Sequence, residues 1–101
     1  MTRVARQDLP DGAAIKIDVD GIPVCVVRIG DEVFAVADTC SHAKFSLSDG
    51  EVWADECEIE CPKHGALFDL RTGEVRTLPA TQPVASYAVT IDGDDVEVKS
   101  T

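Results

Sequence analysis

Two short segments of the chain each carry a cysteine close to a histidine. The first contains Cys40 and His42, and the second contains Cys61 and His64. Thiolate and imidazole are both metal ligands, and two such ligands do not complete a metal site on their own. The chain has only two histidines, and each has a cysteine within three positions. This pairing indicates one metal site built from both segments.

The spacing inside each segment fits some metal sites better than others. Zinc sites usually pair like ligands at C-x₂₋₄-C or H-x₃₋₅-H spacings, and C-x-H is a poor match. A cysteine and a histidine two positions apart are better explained if they bind different metal ions. A two-iron cluster meets this condition, because each segment then gives a cysteine to one iron and a histidine to the other. A zinc-stabilised interaction module is the alternative.

Both segments read as loops, and a hairpin is predicted between them. Pro62 and Gly65 exclude a helix in the second segment. Eighteen residues separate His42 from Cys61, and they include SLSDGEVWADECEIE. This stretch predicts two short strands joined by a turn, which would return the second loop to the side of the first.

The remaining chain predicts short antiparallel strands. Apolar and polar residues alternate over 15–19, 87–91 and 96–99, which is typical of half-buried strands. The nearly continuous apolar run 22–29 is expected to lie between two layers. No segment has the period of a ten-residue amphipathic helix. The predicted fold class is therefore all-β, a small sandwich or barrel of antiparallel hairpins.

Turn signals separate these strands. Asp-Gly and Gly-Asp pairs suit tight hairpin turns, because both residues tolerate positive φ. The signals are Asp11-Gly12, Asp20-Gly21, Gly30-Asp31, Asp49-Gly50, Thr72-Gly73 and Asp92-Gly93.

Composition excludes several classes of function. The net charge is -10, whereas nucleic-acid binding needs clustered Lys and Arg. No apolar run approaches the roughly 18 residues that span a membrane, and the N-terminus lacks the apolar core of a signal peptide. We therefore expect a cytoplasmic protein, in which cysteines are reduced and favour a metal site over disulfides.

The order C-x-H, then eighteen residues, then C-x-x-H resembles the signature of Rieske [2Fe–2S] proteins. The resemblance implies a Rieske iron–sulfur fold that holds one [2Fe–2S] cluster per chain. Carried over to this sequence, it places Cys40 and Cys61 on the inner iron. It places His42 and His64 on the outer iron, at the tip of the domain.

The resemblance extends along the chain to the small bacterial Rieske ferredoxins of ring-hydroxylating dioxygenase systems. It is carried by the flanking strands, by LFDLRTGEV and by LPA at 78–80. It implies one Rieske domain over 1–101, with a cluster-binding subdomain at about 38–70. It further implies that Gly65 keeps the second loop close to the cluster. Pro79 would belong to a third loop, which covers the cluster.

Four positions differ from those of high-potential Rieske proteins. Phe45 and Lys63 stand where those proteins have a disulfide, and Ala66 and Phe68 stand where they have hydroxyl donors. Fewer hydrogen bonds to the cluster mean less stabilisation of its reduced form. The sequence therefore predicts a low-potential cluster.

The function that the resemblance implies is one-electron transfer by a soluble monomer. Electrons would come from a flavin-containing reductase and pass to a terminal oxygenase. The chain would not be an enzyme itself, because an outer iron with two histidines and two sulfides has no open position for a substrate. The alternative is a cluster-bearing accessory or redox-sensing protein, for example in iron–sulfur assembly.

The other notable residues are expected to be structural. Cys25 and Cys57 lie in strand patterns without a nearby histidine, so we expect both to be buried apolar residues. Trp53 and Phe68 are likewise assigned to the core. The acidic stretch 51–60 contains five carboxylates in ten residues, and it fits either a docking patch or a solvated hairpin face.

Overall fold

The fold consists of short strands, as predicted. The computed structural model describes residues 2–39, 45–62, 65–76 and 82–100. The strands are β1 (Thr2–Ala5), β2 (Ala14–Val19), β3 (Ile22–Ile29), β4 (Glu32–Ala37), β5 (Glu51–Trp53), β6 (Glu58–Glu60), β7 (Leu67–Asp69), β8 (Tyr87–Asp92) and β9 (Asp95–Ser100). Two short 3₁₀ helices cover Arg6–Asp8 and Leu47–Asp49. The predicted all-β class is confirmed.

The strands form three antiparallel sheets of three strands each. Their orders are β2-β3-β4, β5-β6-β7 and β1-β9-β8. Tight turns at predicted positions join β2 to β3, β3 to β4 and β8 to β9. In the first of these turns, Asp20 has φ 53° and Gly21 has φ 86°. Two successive left-handed residues match the twist of a hairpin, which explains the Asp-Gly pair there.

Strand β3 separates two hydrophobic cores, because successive side chains of a strand point to opposite faces. Cys25 and Val27 enter the first core. Val24 and Val26 enter the second. All four are fully buried, so the prediction that this run lies between two layers is confirmed.

The second core fills a barrel-like sandwich of two sheets. Its buried residues are Leu9, Val19, Val24, Val26, Ala35, Val96 and Val98. On one side, the Ala37 N–H donates to the Ala85 carbonyl at 2.8 Å, which joins β4 to the segment before β8. On the other side, the Thr2 hydroxyl donates to the Asp18 carbonyl at 2.5 Å. These links hold β1-β9-β8 against β2-β3-β4.

The first core lies between β3 and the small sheet β5-β6-β7. Its buried residues are Cys25, Val27, Val36, Leu47, Cys57, Ile59, Cys61, Ala66, Phe68, Leu70 and Val84. Val52, Ile59 and Phe68 are paired in register across the small sheet, and they form its inner face. The small sheet thus supplies a separate platform at one side of the sandwich.

Among the described residues, no helix has the length and apolar character needed to cross a lipid bilayer.

Candidate metal centre

The second predicted ligand loop starts where β6 ends. Cys61 directly follows the strand, and its N–H donates to the Ala66 carbonyl at 2.8 Å. The Gly65 N–H donates back to the Cys61 carbonyl at 3.0 Å. Gly65 has φ 74°, a conformation that residues with a Cβ rarely adopt. These two bonds and the glycine close the loop tightly on Cys61.

Cys61 is fully buried although it begins a loop. It belongs to the first core together with Leu47, Ala66 and Phe68, each also fully buried. A sulfur held away from water at the closed base of a loop is a suitable position for a metal ligand.

The first predicted ligand loop is held at its base by Asp38, which is 1% exposed. The Asp38 carboxylate accepts the Ser48 N–H at 2.9 Å, and its carbonyl accepts the Leu47 N–H at 2.6 Å. Thr39 forms a β-bridge with Ser46. Both ends of the loop are therefore tied together. The position of Asp38, two residues before the predicted ligand Cys40, is a sequence signal that could have indicated its role in holding the loop.

The predicted hairpin connects the two loops. From the first loop the chain passes through the 3₁₀ helix Leu47–Asp49 into β5, which pairs with β6 in the register Glu51 to Glu60. A Cβ at Gly50 would lie 1.7 Å from the Glu60 carbonyl oxygen. The backbone after the first loop thus touches the backbone just before Cys61. Gly50 has a negative φ of -87°, so the prediction of a positive-φ turn residue there was wrong. A glycine is needed instead because the Glu60 carbonyl leaves no room for a Cβ.

The structure describes one of the four predicted ligands. Cys61 lies as outlined above, whereas Cys40, His42 and His64 lie outside the described residues. Lys63 and Pro79 lie outside them as well. Within the described part of the chain, no three Cys, His, Asp or Glu side chains come together in a group that could hold a metal ion.

Cys25 and Cys57 are buried core residues, as predicted, at 0% and 4% exposure. Burial, with a smaller contribution from the Asp38 carboxylate, raises the pKa of Cys25 to about 12. Burial also raises the pKa of Cys57. Both thiols therefore stay protonated near neutral pH, as expected of cysteines buried among apolar side chains.

An ion-pair network lies across β6 and β7 of the small sheet, at the end away from Cys61. Arg76 pairs with Asp69 on β7, and its Nε lies 3.5 Å from a Glu58 oxygen on β6. Burial alone would raise the pKa of Asp69, but the Arg76 guanidinium and the Arg71 amide hold that pKa below its usual value. The sequence did not reveal this network, because its residues are separated by turns and come together only in the fold.

The two aromatic residues assigned to the core behave differently. Phe68 is fully buried, as predicted, but Trp53 is 42% exposed. Its assignment to the core was wrong. Val52 points inwards from the three-residue strand β5, so its neighbour Trp53 must point outwards.

Comparison with known proteins identifies the family. Residues 2–88 match the family described as the Rieske [2Fe-2S] domain. The chain belongs to the Rieske [2Fe–2S] family. The predicted Rieske fold is confirmed, and the cofactor of the family is one [2Fe–2S] cluster.

Individual relatives agree with this Rieske assignment. The chain is 39% identical over 89 residues to the 3-phenylpropionate/cinnamic acid dioxygenase ferredoxin subunit of Escherichia coli strain K12, covering 88% of this chain and 82% of that one. The ferredoxin of carbazole 1,9a-dioxygenase from Nocardioides aromaticivorans IC177 superposes with a TM-score of 0.96 at 40% identity, covering 100% of this chain and 97% of that one. The resemblance to dioxygenase ferredoxins is confirmed.

A second solved structure contains a related ferredoxin with a protein partner. It is the complex of reduced oxygenase and oxidised ferredoxin in carbazole 1,9a-dioxygenase, with a TM-score of 0.89 at 34% identity, covering 98% of this chain and 91% of that one.

The residues of this chain fit a Rieske cluster. The two loops contain two cysteines and two histidines, which is the donor set of such clusters. The described geometry adds a buried Cys61, a loop that closes on it, and a first loop tied at its base by Asp38.

Proposed function

We propose that the chain is a soluble, low-potential one-electron carrier that passes electrons from a flavin-containing reductase to a terminal oxygenase. The observation that carries this proposal is similarity along most of the chain to ferredoxin subunits of dioxygenases. The solved complex of a related ferredoxin with its oxygenase supports an oxygenase as the electron acceptor. The chain then acts as a transfer component, and the oxygenase carries out the catalysis.

The proposed ligands are Cys40 and Cys61 on the inner iron and His42 and His64 on the outer iron. The family and the paired spacing support this set. The burial of Cys61 supports it as well. Cys25 lies within β3 and Cys57 lies in the turn before β6, so neither belongs to the two predicted ligand loops.

The chain's own side chains set the surroundings of the ligands. When bound, a Rieske cluster accepts and releases one electron at potentials of roughly -150 to +300 mV. Leu47, Ala66 and Phe68 exclude water around Cys61. Ala66 and Phe68 offer no hydroxyl donor there, which supports a potential towards the low end of that range.

The organisation of the chain is proposed on the same basis. One Rieske domain spans 1–101, and residues at about 38–70 form its cluster-binding subdomain. The small sheet β5-β6-β7 and its core support this division. We further propose a cytoplasmic monomer, since the use of cysteines as metal ligands fits a reducing compartment.

Two electron-transfer steps test the proposal. Candidate flavin reductases with NADH should bleach the visible absorbance of the oxidised protein under anaerobic conditions. The reduced protein, mixed with an oxidised terminal oxygenase, should then regain its colour as the oxygenase is reduced. Cys61→Ser protein without a cluster is the control and should mediate neither step. A coloured protein that exchanges no electrons but donates its cluster to apo-proteins would contradict the carrier role and favour the assembly function.

A further inference from the structure

The outer face of the small sheet presents the exposed Trp53 beside the second ligand loop. The register pairs Glu51 with Glu60 and Trp53 with Glu58, so these side chains share the face opposite the first core. Trp53 is 42% exposed. Large exposed aromatic side chains are enriched at the centres of protein interfaces.

A hydrogen bond fixes the orientation of the indole. The Trp53 Nε1–H donates to a Glu60 carboxylate oxygen at 3.1 Å, diagonally across the strand pair. The other Glu60 oxygen lies 4.0 Å from where a Cβ of Gly65 would be. The ring therefore reaches towards the ligand loop, and the Glu60 carboxylate lies between the two. A side chain held in place before binding loses less entropy when a partner docks.

The charge around the indole is negative. Glu51 is exposed, and Asp55 and Glu56 are exposed at the end of the same hairpin. Arg76 neutralises Glu58 on this face and also pairs with Asp69, but it pairs with neither Glu51 nor Glu60. Among the described residues, Glu51 and Glu60 form no ion pair.

We propose that Glu51, Trp53 and Glu60, here called the Trp53 face, dock a basic surface of the redox partner. A guanidinium or ammonium group of the partner stacks on the indole while the flanking carboxylates pair with it. The face adjoins Cys61, so a partner seated on it is close to the cluster-bearing end of the domain. The inference rests on the proposed electron-carrier function and names the chemistry by which the partner is recognised.

The test uses a basic acceptor whose reaction does not depend on knowing the physiological partner. Dithionite-reduced holoprotein is mixed in a stopped-flow instrument with ferric cytochrome c, a haem protein with a basic surface, below saturation and at low salt. The second-order rate constant is then proportional to the affinity of the encounter complex. The variants are Trp53→Ala, Trp53→Phe, Glu60→Gln and Glu56→Gln.

The variants separate docking from long-range attraction. Glu56→Gln is the matched control for Glu60→Gln, because each removes one charge from the same hairpin and only Glu60 touches the indole. We expect Trp53→Ala and Glu60→Gln to lower the rate constant by about threefold or more relative to Glu56→Gln, and Trp53→Phe to stay near wild type. The reductase from the experiment above, once identified, should show the same order.

Equal rate constants for Glu60→Gln and Glu56→Gln, with an unaffected Trp53→Ala, would overturn the docking face. A dimer in solution that Trp53→Ala dissociates would overturn it too, since the face would then bind a second copy. If Trp53→Ala does not fold, the rate constant of Glu60→Gln compared with that of Glu56→Gln decides whether the face docks the partner. Absence of any competent reductase would count against the carrier function and leave the cytochrome c comparison intact.

Discussion

The three described cysteines differ in their surroundings. Cys25 is buried in β3, and its thiol pKa is about 12. Cys57 is buried with a left-handed backbone of φ 55°, and its pKa is also raised. Cys61 alone lies at the base of a predicted ligand loop. Sequence context correctly predicted that Cys25 and Cys57 are buried core residues. The ligand role of Cys61 stays a prediction, based on the nearby His64.

Removing a core cysteine should leave the cluster intact. We expect Cys25→Ala and Cys57→Ala to keep the visible spectrum per chain and to cost about 1 kcal/mol of stability through lost packing. Cys61→Ala should give colourless protein. Absorbance and thermal unfolding of the purified variants check this. A colourless Cys25→Ala or Cys57→Ala variant would show that the ligand set is wrong.

Ala66 offers a place to tune the reduction potential. Its carbonyl accepts the Cys61 N–H, and its side chain is fully buried. We expect a wild-type potential of about -150 mV and a higher value in Ala66→Ser, because a new hydroxyl donor stabilises the more negative reduced form. Ala54→Ser, in the exposed hairpin end, is the control. Redox titration measures both, and a wild-type potential above zero would contradict the low-potential assignment.

At the scale of the elements, the alternation of apolar and polar residues predicted the longer strands, but in the shortest strands it did not show which face is buried. The six-residue strands β8 and β9 were predicted from period two. β1 was missed, because its four residues carry little pattern and its pairing with β9 is a tertiary contact. Trp53 was misassigned for a related reason, since three residues of β5 do not reveal which face is buried.

The junction between the loops depends on Gly50. A Cβ there would meet the Glu60 carbonyl oxygen at 1.7 Å, so Gly50→Ala must push β6 and Cys61 away. We expect a loss of about 1–3 kcal/mol and a lower cluster content per chain. Gly30→Ala is the comparison, because it introduces backbone strain at φ 60° but meets nothing within 4 Å. Equal cluster content in the two variants would contradict the role of this contact.

The pairing of Asp69 with Arg76 should appear as acid sensitivity. The pKa of Asp69 is lower in the folded chain than in the unfolded one, where it is about 3.9. The pair's contribution to stability is therefore complete above about pH 5 and is lost as the pH falls through the folded pKa. We expect Asp69→Asn to lower the melting temperature at pH 7 and to narrow its difference from wild type below pH 4. A difference in melting temperature that does not change with pH would contradict a stabilising role for the ionised Asp69.

At the scale of the whole molecule, some of the acidic side chains are neutralised by ion pairs and others are not. The net charge is -10, yet Glu58 is paired with Arg76 and does not act as a free charge. The sequence showed the acidic stretch 51–60 but not which of its carboxylates are neutralised, because the neutralising arginine follows two turns later. The ligand roles of Cys40, His42 and His64 were predicted from their spacing and from the family resemblance, and these residues lie outside the described part of the chain.

Attraction of a basic partner should weaken with salt. The Debye length is about 10 Å at 0.1 M and about 3 Å at 1 M salt, so oxidation by cytochrome c should slow as salt is added. Oxidation by ferricyanide, an anion, should instead accelerate, because the same charge repels it. Stopped-flow series with both oxidants test this. A cytochrome c rate that ignores salt would mean that the acidic charge serves solubility only.

Histidine ligation is the most direct test of the proposed Rieske cluster. The chain has two histidines, so untagged protein grown with ¹⁵N only in histidine is labelled at His42 and His64 alone. Pulsed electron paramagnetic resonance of the dithionite-reduced protein should show two strongly coupled nitrogens, both converted from the ¹⁴N to the ¹⁵N pattern by the label. Couplings unchanged by labelling, or a zinc-containing protein without a signal, would contradict a Rieske cluster held by these residues.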